Sequence, residues 1–219
     1  MTPAPAQPGP FDLVVFDCDG VLVDSERLTV HEEARMLTEL GWQVTADEVV
    51  GLFMGLSLAT ELEMVADRLG RAAAEKFEHD LVPRLTAIFD AELTAVEGIP
   101  ALLDALALNG VPTCVASSGL PEGIRRKLDR TGLSEHFGER ISSASEVERG
   151  KPAPDLFLLA AGRMGVEPAR AAVVEDSVPG VEAGVAAGMT VYGFAGGLAP
   201  SADLRAAGAV VFDAMAELH

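Results

Sequence analysis

Apolar runs and helical patterns alternate along the second half of the chain, whereas the first run stands apart near the amino terminus. Leu13-Val14-Val15-Phe16, bounded by Asp12 and Asp17, is short and rich in β-branched residues and predicts a buried strand. From Ser25 to Leu93 there is no strand pattern. Ser25-Glu26 opens a helix through Val30, Ala34, Leu37 and Leu40 that Gly41 stops. Thr45-Ala46-Asp47-Glu48 has the Thr-x-x-Glu form of a capping box ahead of Val49, Val50 and Leu52. Leu58, Leu62, Val65 and Leu69 continue at helical spacing from Ser57 to Gly70. A further helix carries Phe77, Leu81, Leu85, Ile88 and Phe89, with Pro83 as a point of kinking. Four helices in a row predict a separate helical insert.

After Gly98 the spacing predicts a helix over 100–109, a strand over 111–116, a helix over 121–133 and a weak strand over 140–143. A helix over 154–164, a strong strand over 171–174, a helix over 178–187 and strands over 189–194 and 210–212 complete the series. Such alternation predicts an α/β fold: a parallel sheet with helices on both faces. The core is expected over 11–24 and 94–219, the helical insert over 25–93, and Met1 to Pro10 as a frayed Pro- and Ala-rich leader.

The 219 residues, 49% hydrophobic and 23% charged, suffice for a substantial core. No apolar stretch approaches a membrane span. Sixteen basic against 34 acidic residues leave a net charge of −18, which argues against nucleic acid or an anionic membrane as partner. Cys18 and Cys114 are the only cysteines, each in or beside a predicted strand, so no disulfide framework is indicated and a reducing cytoplasm fits. A monomer or weak homodimer is expected.

Chemistry-bearing residues cluster where the predicted strands end. Asp17-Cys18-Asp19-Gly20 follows the first strand, and ligands of open α/β sheets bind outside the carboxyl ends of strands. Two acids one residue apart can share a hard cation, or act as nucleophile and proton carrier. A calcium loop also alternates acids, but here Val21, Leu22 and Val23 occupy the next positions. Alternation points Cys18 away from its acidic neighbours, as a packed thiol. Ser117-Ser118-Gly119 precedes a helix start near Pro121 and suits either a phosphate cradle or an ordinary loop cap. Lys151 lies in Gly150-Lys151-Pro152-Ala153-Pro154, rigidified by two prolines, and a lone lysine without further context is usually solvated surface. Glu175-Asp176-Ser177 closes the strand Ala172-Val173-Val174, and acids there demand pairing or metal ligation.

Asp-x-Asp-Gly, then Ser117, then Lys151, then Glu175-Asp176 resembles the ordered motif set of the haloacid dehalogenase-like superfamily, in its branch of small phosphatases and β-phosphoglucomutase-like enzymes. The resemblance runs from Phe11 to about Phe212 and includes the helical insert, which matches that family's small cap. It implies a Rossmann-like core and a Mg²⁺-dependent phosphohydrolase of a small phosphorylated metabolite, such as a sugar phosphate. Asp17 would be the nucleophile, Asp19 the general acid and then base, and Ser117, Ser118 and Lys151 the phosphate-binding residues. Asp17, Asp19 through its backbone carbonyl, and Asp176 would hold Mg²⁺, with Glu175 in the same metal group. In the mutases a Lys and an Arg flank a Gly-Val-Ser stretch on the cap, and a His lies early in its first helix. The matching positions here hold Met54, Leu58 and Thr29, with Arg68 and Arg84 as possible replacements, so hydrolysis is implied over isomerisation.

Overall fold

The computed structural model describes residues 11–53 and 56–218, so Met54 and the expected leader lie outside the described residues. The chain divides into two compact units, Met1–Val23 with Thr94–His219, and Asp24–Leu93.

The larger unit is built on a six-stranded sheet of order β3-β2-β1-β4-β5-β6, parallel throughout. The strands are β1 (Leu13–Phe16), β2 (Thr113–Ser117), β3 (Ile141–Ser143), β4 (Ala171–Glu175), β5 (Thr190–Phe194) and β6 (Val210–Phe212). Its helices are α5 (Ile99–Leu108), α6 (Pro121–Thr131), α7 (Ser134–Phe137), α8 (Asp155–Met164), α9 (Val178–Ala186) and α10 (Ser201–Ala207). The β-branched, fully buried strands β1 and β4 are those of a sheet covered on both faces. Leu13 and Val15 pack into one core with Leu156 and Phe157 of α8, Val181 of α9 and Leu204 of α10. Phe16, pointing the other way along the pleat, meets Phe137 of α7 edge-on.

Three elements depart from the sequence pattern. Strand β2 begins at Thr113 rather than Val111, because Pro112 has no N–H for the ladder; its carbonyl instead accepts the N–H of Val14. The expected helix over 121–133 stops at Thr131, where Gly132 takes a left-handed conformation, and the short α7 follows. Helix α10 was not read from the sequence; its apolar anchor within the core is the single fully buried Leu204.

The smaller unit contains α1 (Ser25–Glu39), α2 (Ala46–Phe53), α3 (Leu58–Leu69) and α4 (Arg71–Glu92). Its own core gathers Leu37, Val49, Phe53, Val65, Phe77 and Leu81. The capping box before α2 is reciprocal: the Thr45 N–H donates to Glu48 Oε2 at 2.8 Å and the Glu48 N–H to Thr45 Oγ1 at 3.2 Å. Ser57 caps α3 by accepting the Thr60 N–H. Arg84 of α4 joins Glu32 and Glu39 of α1, at 2.5 Å each.

Candidate active site

The strand order places the sequence-predicted groups together. Going from β1 the chain builds outward through β2 and β3, then returns to the other side of β1 as β4. That reversal is a topological switch point, where a crevice opens at the carboxyl ends of the strands. In register, Phe16 lies between Val115 of β2 and Val174 of β4. Asp17, Ser117 and Glu175-Asp176 therefore emerge side by side from three adjacent strand ends.

Asp17 is buried, its own N–H donating to the Val174 carbonyl at 3.0 Å. Immediately after it the backbone folds back on itself: the Leu22 and Val23 N–H groups both donate to the Cys18 carbonyl, and the Gly20 N–H to the Val23 carbonyl. Gly20 has φ 78°, a left-handed conformation that a side chain would oppose, and this turn keeps Asp19 beside the strand end. Cys18 is fully buried, and burial pushes its thiol well above the ordinary range, the reverse of what a reactive cysteine needs.

Lys151 reaches the centre of the site. Its Nζ donates to Asp17 Oδ1 at 2.5 Å and to Glu175 Oε1 at 2.6 Å, and lies 5.0 Å from the centre of the Phe157 ring. Burial would discharge this ammonium, but the Asp17 and Glu175 carboxylates hold its pKa above the usual value, so it remains a cation. The pKa of Asp17 also rises, which for an acid favours the neutral form: burial raises it, with Glu175 and Asp19 adding to the rise, against the pull of Lys151.

Glu175 is held by the protein on both carboxylate oxygens. Its Oε2 accepts the N–H groups of Asp176 and Ser177 at 2.8 Å and the Ser177 hydroxyl at 2.9 Å, while Oε1 accepts Lys151. Both oxygens are engaged by the protein, so Glu175 is an anchor for Lys151 and for the 175–177 turn. Ser177 in turn accepts the Gly180 N–H as the cap of α9. Asp176, 3% exposed, stands next in the chain at the site.

Ser117 and Ser118 part company. Ser117 is buried, and its Oγ accepts the Gly119 N–H at 3.1 Å. Ser143 at the end of β3 donates to the Gly119 carbonyl at 2.7 Å, which fixes the loop leading into α6. Ser118 is exposed. Sequence reasoning passed over Lys127 of α6, whose Nζ donates to Asp19 Oδ1. The available signal was its position on the edge of the buried Ile124–Leu128 stripe of an otherwise solvated helix.

These groups fit a divalent cation. Asp17, Asp19, Glu175 and Asp176 bring four carboxylates against the ammoniums of Lys151 and Lys127, an excess of two negative charges when all are ionised. The donors are hard oxygens, the set that Mg²⁺ takes. Among the described residues no three acidic, His or Cys side chains form a metal-binding group by themselves, and Mg²⁺ usually keeps several waters in its oxygen set.

The family model described as haloacid dehalogenase-like hydrolase matches residues 11–188. The chain belongs to the haloacid dehalogenase-like hydrolases. Among relatives of this hydrolase, 6-phosphogluconate phosphatase of Escherichia coli K12 is 34% identical over 184 residues, covering 84% of this chain and 82% of the relative. Hexitol phosphatase A of the same organism is 34% identical over 183 residues, covering 81% and 80%. A haloacid dehalogenase family hydrolase of Deinococcus radiodurans R1, solved with bound phosphate and sodium, superposes with a TM-score of 0.86 at 36% identity, covering 96% of this chain and 94% of that one.

Proposed function

We propose that this hydrolase is a Mg²⁺-dependent phosphomonoesterase of a small phosphorylated sugar or polyol, working through a phosphoryl group carried on Asp17. The observation that carries the reading is the Lys151 ammonium set between Asp17 and Glu175 at the switch point of the sheet. A carboxylate attacking a phosphate dianion must overcome like-charge repulsion, and a buried, permanently charged lysine at the nucleophile lowers that barrier. The relatives named for 6-phosphogluconate and hexitol phosphatase activity support the substrate class.

In this reading Asp17 attacks phosphorus while Ser117, Ser118 and Lys151 hold the phosphoryl oxygens. Asp19 protonates the leaving alkoxide and then takes a proton from the water that releases phosphate from Asp17. Asp17, the Asp19 carbonyl and Asp176 would hold Mg²⁺, which when bound supplies further neutralisation of the phosphoryl charge. Glu175 keeps Lys151 in place. Phosphomonoester hydrolysis demands accelerations of up to about 10²¹-fold, which is why nucleophile, acid, cation and metal are gathered in one site. Two buried thiols with no disulfide suit a reducing cytoplasm, and a field of −18 disfavours nucleic acid and anionic membranes as partners. No single helix among the described residues is long and apolar enough to cross a membrane.

A panel of phosphorylated sugars, sugar acids and polyols, assayed for phosphate release with Mg²⁺ and with a chelator, tests the proposal. Mg²⁺-dependent release and a hydroxylamine-labile phosphoryl group on Asp17 after rapid quenching are expected. Turnover that leaves no label on Asp17 would overturn the covalent route, and no turnover on any phosphomonoester would overturn the activity.

A further inference from the structure

Lys127 is a cation of the site that the reading above does not use. It lies 108 residues from Asp19 in sequence, yet its ammonium donates to Asp19 Oδ1. Its side chain is 19% exposed and that of Asp19 is 32% exposed. The ammonium and the carboxylate form an ion pair between α6 and the segment that follows β1. The helix that presents it is well fixed. Ile124 and Leu128, on either side of Lys127 along the buried stripe, are each 1% exposed. The helix start is tied to the Ser117 loop through Gly119, which Ser117 and Ser143 both engage. Lys127 thus holds Asp19 from the same rigid element that frames the phosphate loop.

Stability is a poor reason for such a pair. Withdrawing two charges from water consumes most of what their attraction returns, and apolar replacements of partly buried pairs are often neutral. Orientation is a better one. Asp19 lies in the turn that follows β1, where a side-chain partner helps set which carboxyl edge faces the reacting atoms.

We infer that Lys127 is a positioning residue for the general acid: its ammonium holds Asp19 by Oδ1 and so orients the carboxyl group that exchanges protons with the leaving group. This inference rests on the phosphatase reading and on Asp19 as its acid. In the first step the Asp17–phosphorus bond forms and the bond from phosphorus to the ester oxygen breaks. The Asp19 proton passes to that oxygen, and the carboxylate charge left behind forms against the Lys127 ammonium. In the second step water attacks phosphorus, its proton returns to Asp19, and Asp17 leaves as a carboxylate.

The leaving group provides the test. An alkoxide must be protonated as it departs, whereas p-nitrophenolate leaves unaided, and kcat/KM reports only the steps up to that departure. Wild type, Lys127→Met and Lys127→Arg are compared by kcat/KM on a hexitol phosphate and on p-nitrophenyl phosphate, with melting curves alongside. General acid catalysis contributes about 10²–10⁴-fold, so Lys127→Met should lose at least about tenfold on the alkyl ester and less than about threefold on the aryl ester. Lys127→Arg should recover part of the alkyl activity.

Equal losses on both esters, or no loss on either, would overturn the inference. If Lys127→Met does not fold, Lys127→Gln is read in the same way, and unfolding of both would make the residue structural and also overturn it. Failure of the wild type on both esters would instead refute the phosphatase reading itself.

Discussion

A Cβ built on Gly180 would stand 1.7 Å from Oε1 of Glu175. The first turn of α9 therefore lies directly against the carboxylate that anchors Lys151. Glu175 is 1% exposed and held on both oxygens, so it has nowhere to swing. Gly180→Ala should force that carboxylate out of place, lowering stability by about 1–3 kcal/mol as overpacked sites do. Activity should fall more steeply than stability accounts for, because Lys151 loses its anchor. Thermal melts and kcat on the same preparations check this; unchanged kcat would mean that Glu175 does not position the lysine.

Asp17→Asn keeps the shape of the side chain and removes its capacity to attack phosphorus. A loss of at least about a hundredfold in kcat is expected, roughly 2.7 kcal/mol of barrier. The fold should persist, since Lys151 retains Glu175 as a partner. Circular dichroism with steady-state kinetics is the check, and a smaller loss would argue against covalent catalysis by this residue.

The site was legible where its chemistry follows a strand. Asp17, Ser117 and Asp176 each close a run that is recognisably β, and the order of strands brings such ends together whatever the intervening sequence. Lys151 was identifiable only through the motif order that surrounds it, because a single lysine in a Pro-rich loop carries no local mark of burial. Lys127 and the pairing of Glu175 with Lys151 were not legible. Their meaning lies in partners 108 and 24 residues away, and a helix pattern or a pair of acids gives no hint of such pairings. Helix α10 escaped for a similar reason: seven residues with one buried leucine make too weak a stripe to recognise.

Asp176→Ala and Glu175→Gln separate metal ligation from lysine anchoring. Removing a metal carboxylate should raise the Mg²⁺ concentration for half-maximal activity by about tenfold or more. Glu175→Gln should reduce kcat with a smaller change in the Mg²⁺ requirement, since its oxygens are engaged by Lys151 and the 175–177 turn. Activity titrated with Mg²⁺ decides. The opposite pattern would return Glu175 to the metal and make Asp176 structural.

Glu33 of α1 is 7% exposed, and burial together with the nearby Glu61 raises its carboxyl from 4.5 to about 7. Between those values the native state keeps a proton that the unfolded chain has released. Stability from this group therefore falls as pH rises from 4.5 to 7 and stays at the lower level above that. The full shift corresponds to at most about 3 kcal/mol. Glu33→Gln removes the titration, so its melting temperature should exceed that of wild type at pH 8 and the gap should shrink towards pH 5. A gap independent of pH would show that Glu33 titrates normally in the folded protein.

The reaction should end in hydrolysis rather than isomerisation. A mutase has to hold a second phosphate dianion on the substrate while the first is transferred, and that dianion needs cations when desolvated. Within the helical unit the candidate cations are largely committed elsewhere. Arg84 is bound to Glu32 and Glu39 at 2.5 Å, Arg35 to Glu32 at 2.6 Å, and Arg27 to Asp24 at 2.7 Å. Lys76 pairs with Asp80 at 2.5 Å, and the Arg68 guanidinium sits 5.5 Å from the centre of the Trp42 ring. Of the three positions matched to the mutase pattern, Thr29 donates its hydroxyl to the Ser25 carbonyl and Leu58 is an apolar residue opening α3. The third, Met54, lies outside the described residues. Recruiting Arg84 would leave the buried carboxylate of Glu32, which has a side chain 1% exposed, with one partner fewer. Arg35 would then be left to compensate a buried charge that two guanidiniums now share, which is destabilising. With β-glucose 1-phosphate and a bisphosphate primer, free phosphate should therefore accumulate faster than glucose 6-phosphate. Coupled assays of both products in one reaction measure the ratio, and glucose 6-phosphate in excess would make this chain a mutase whose second phosphate is held by other groups.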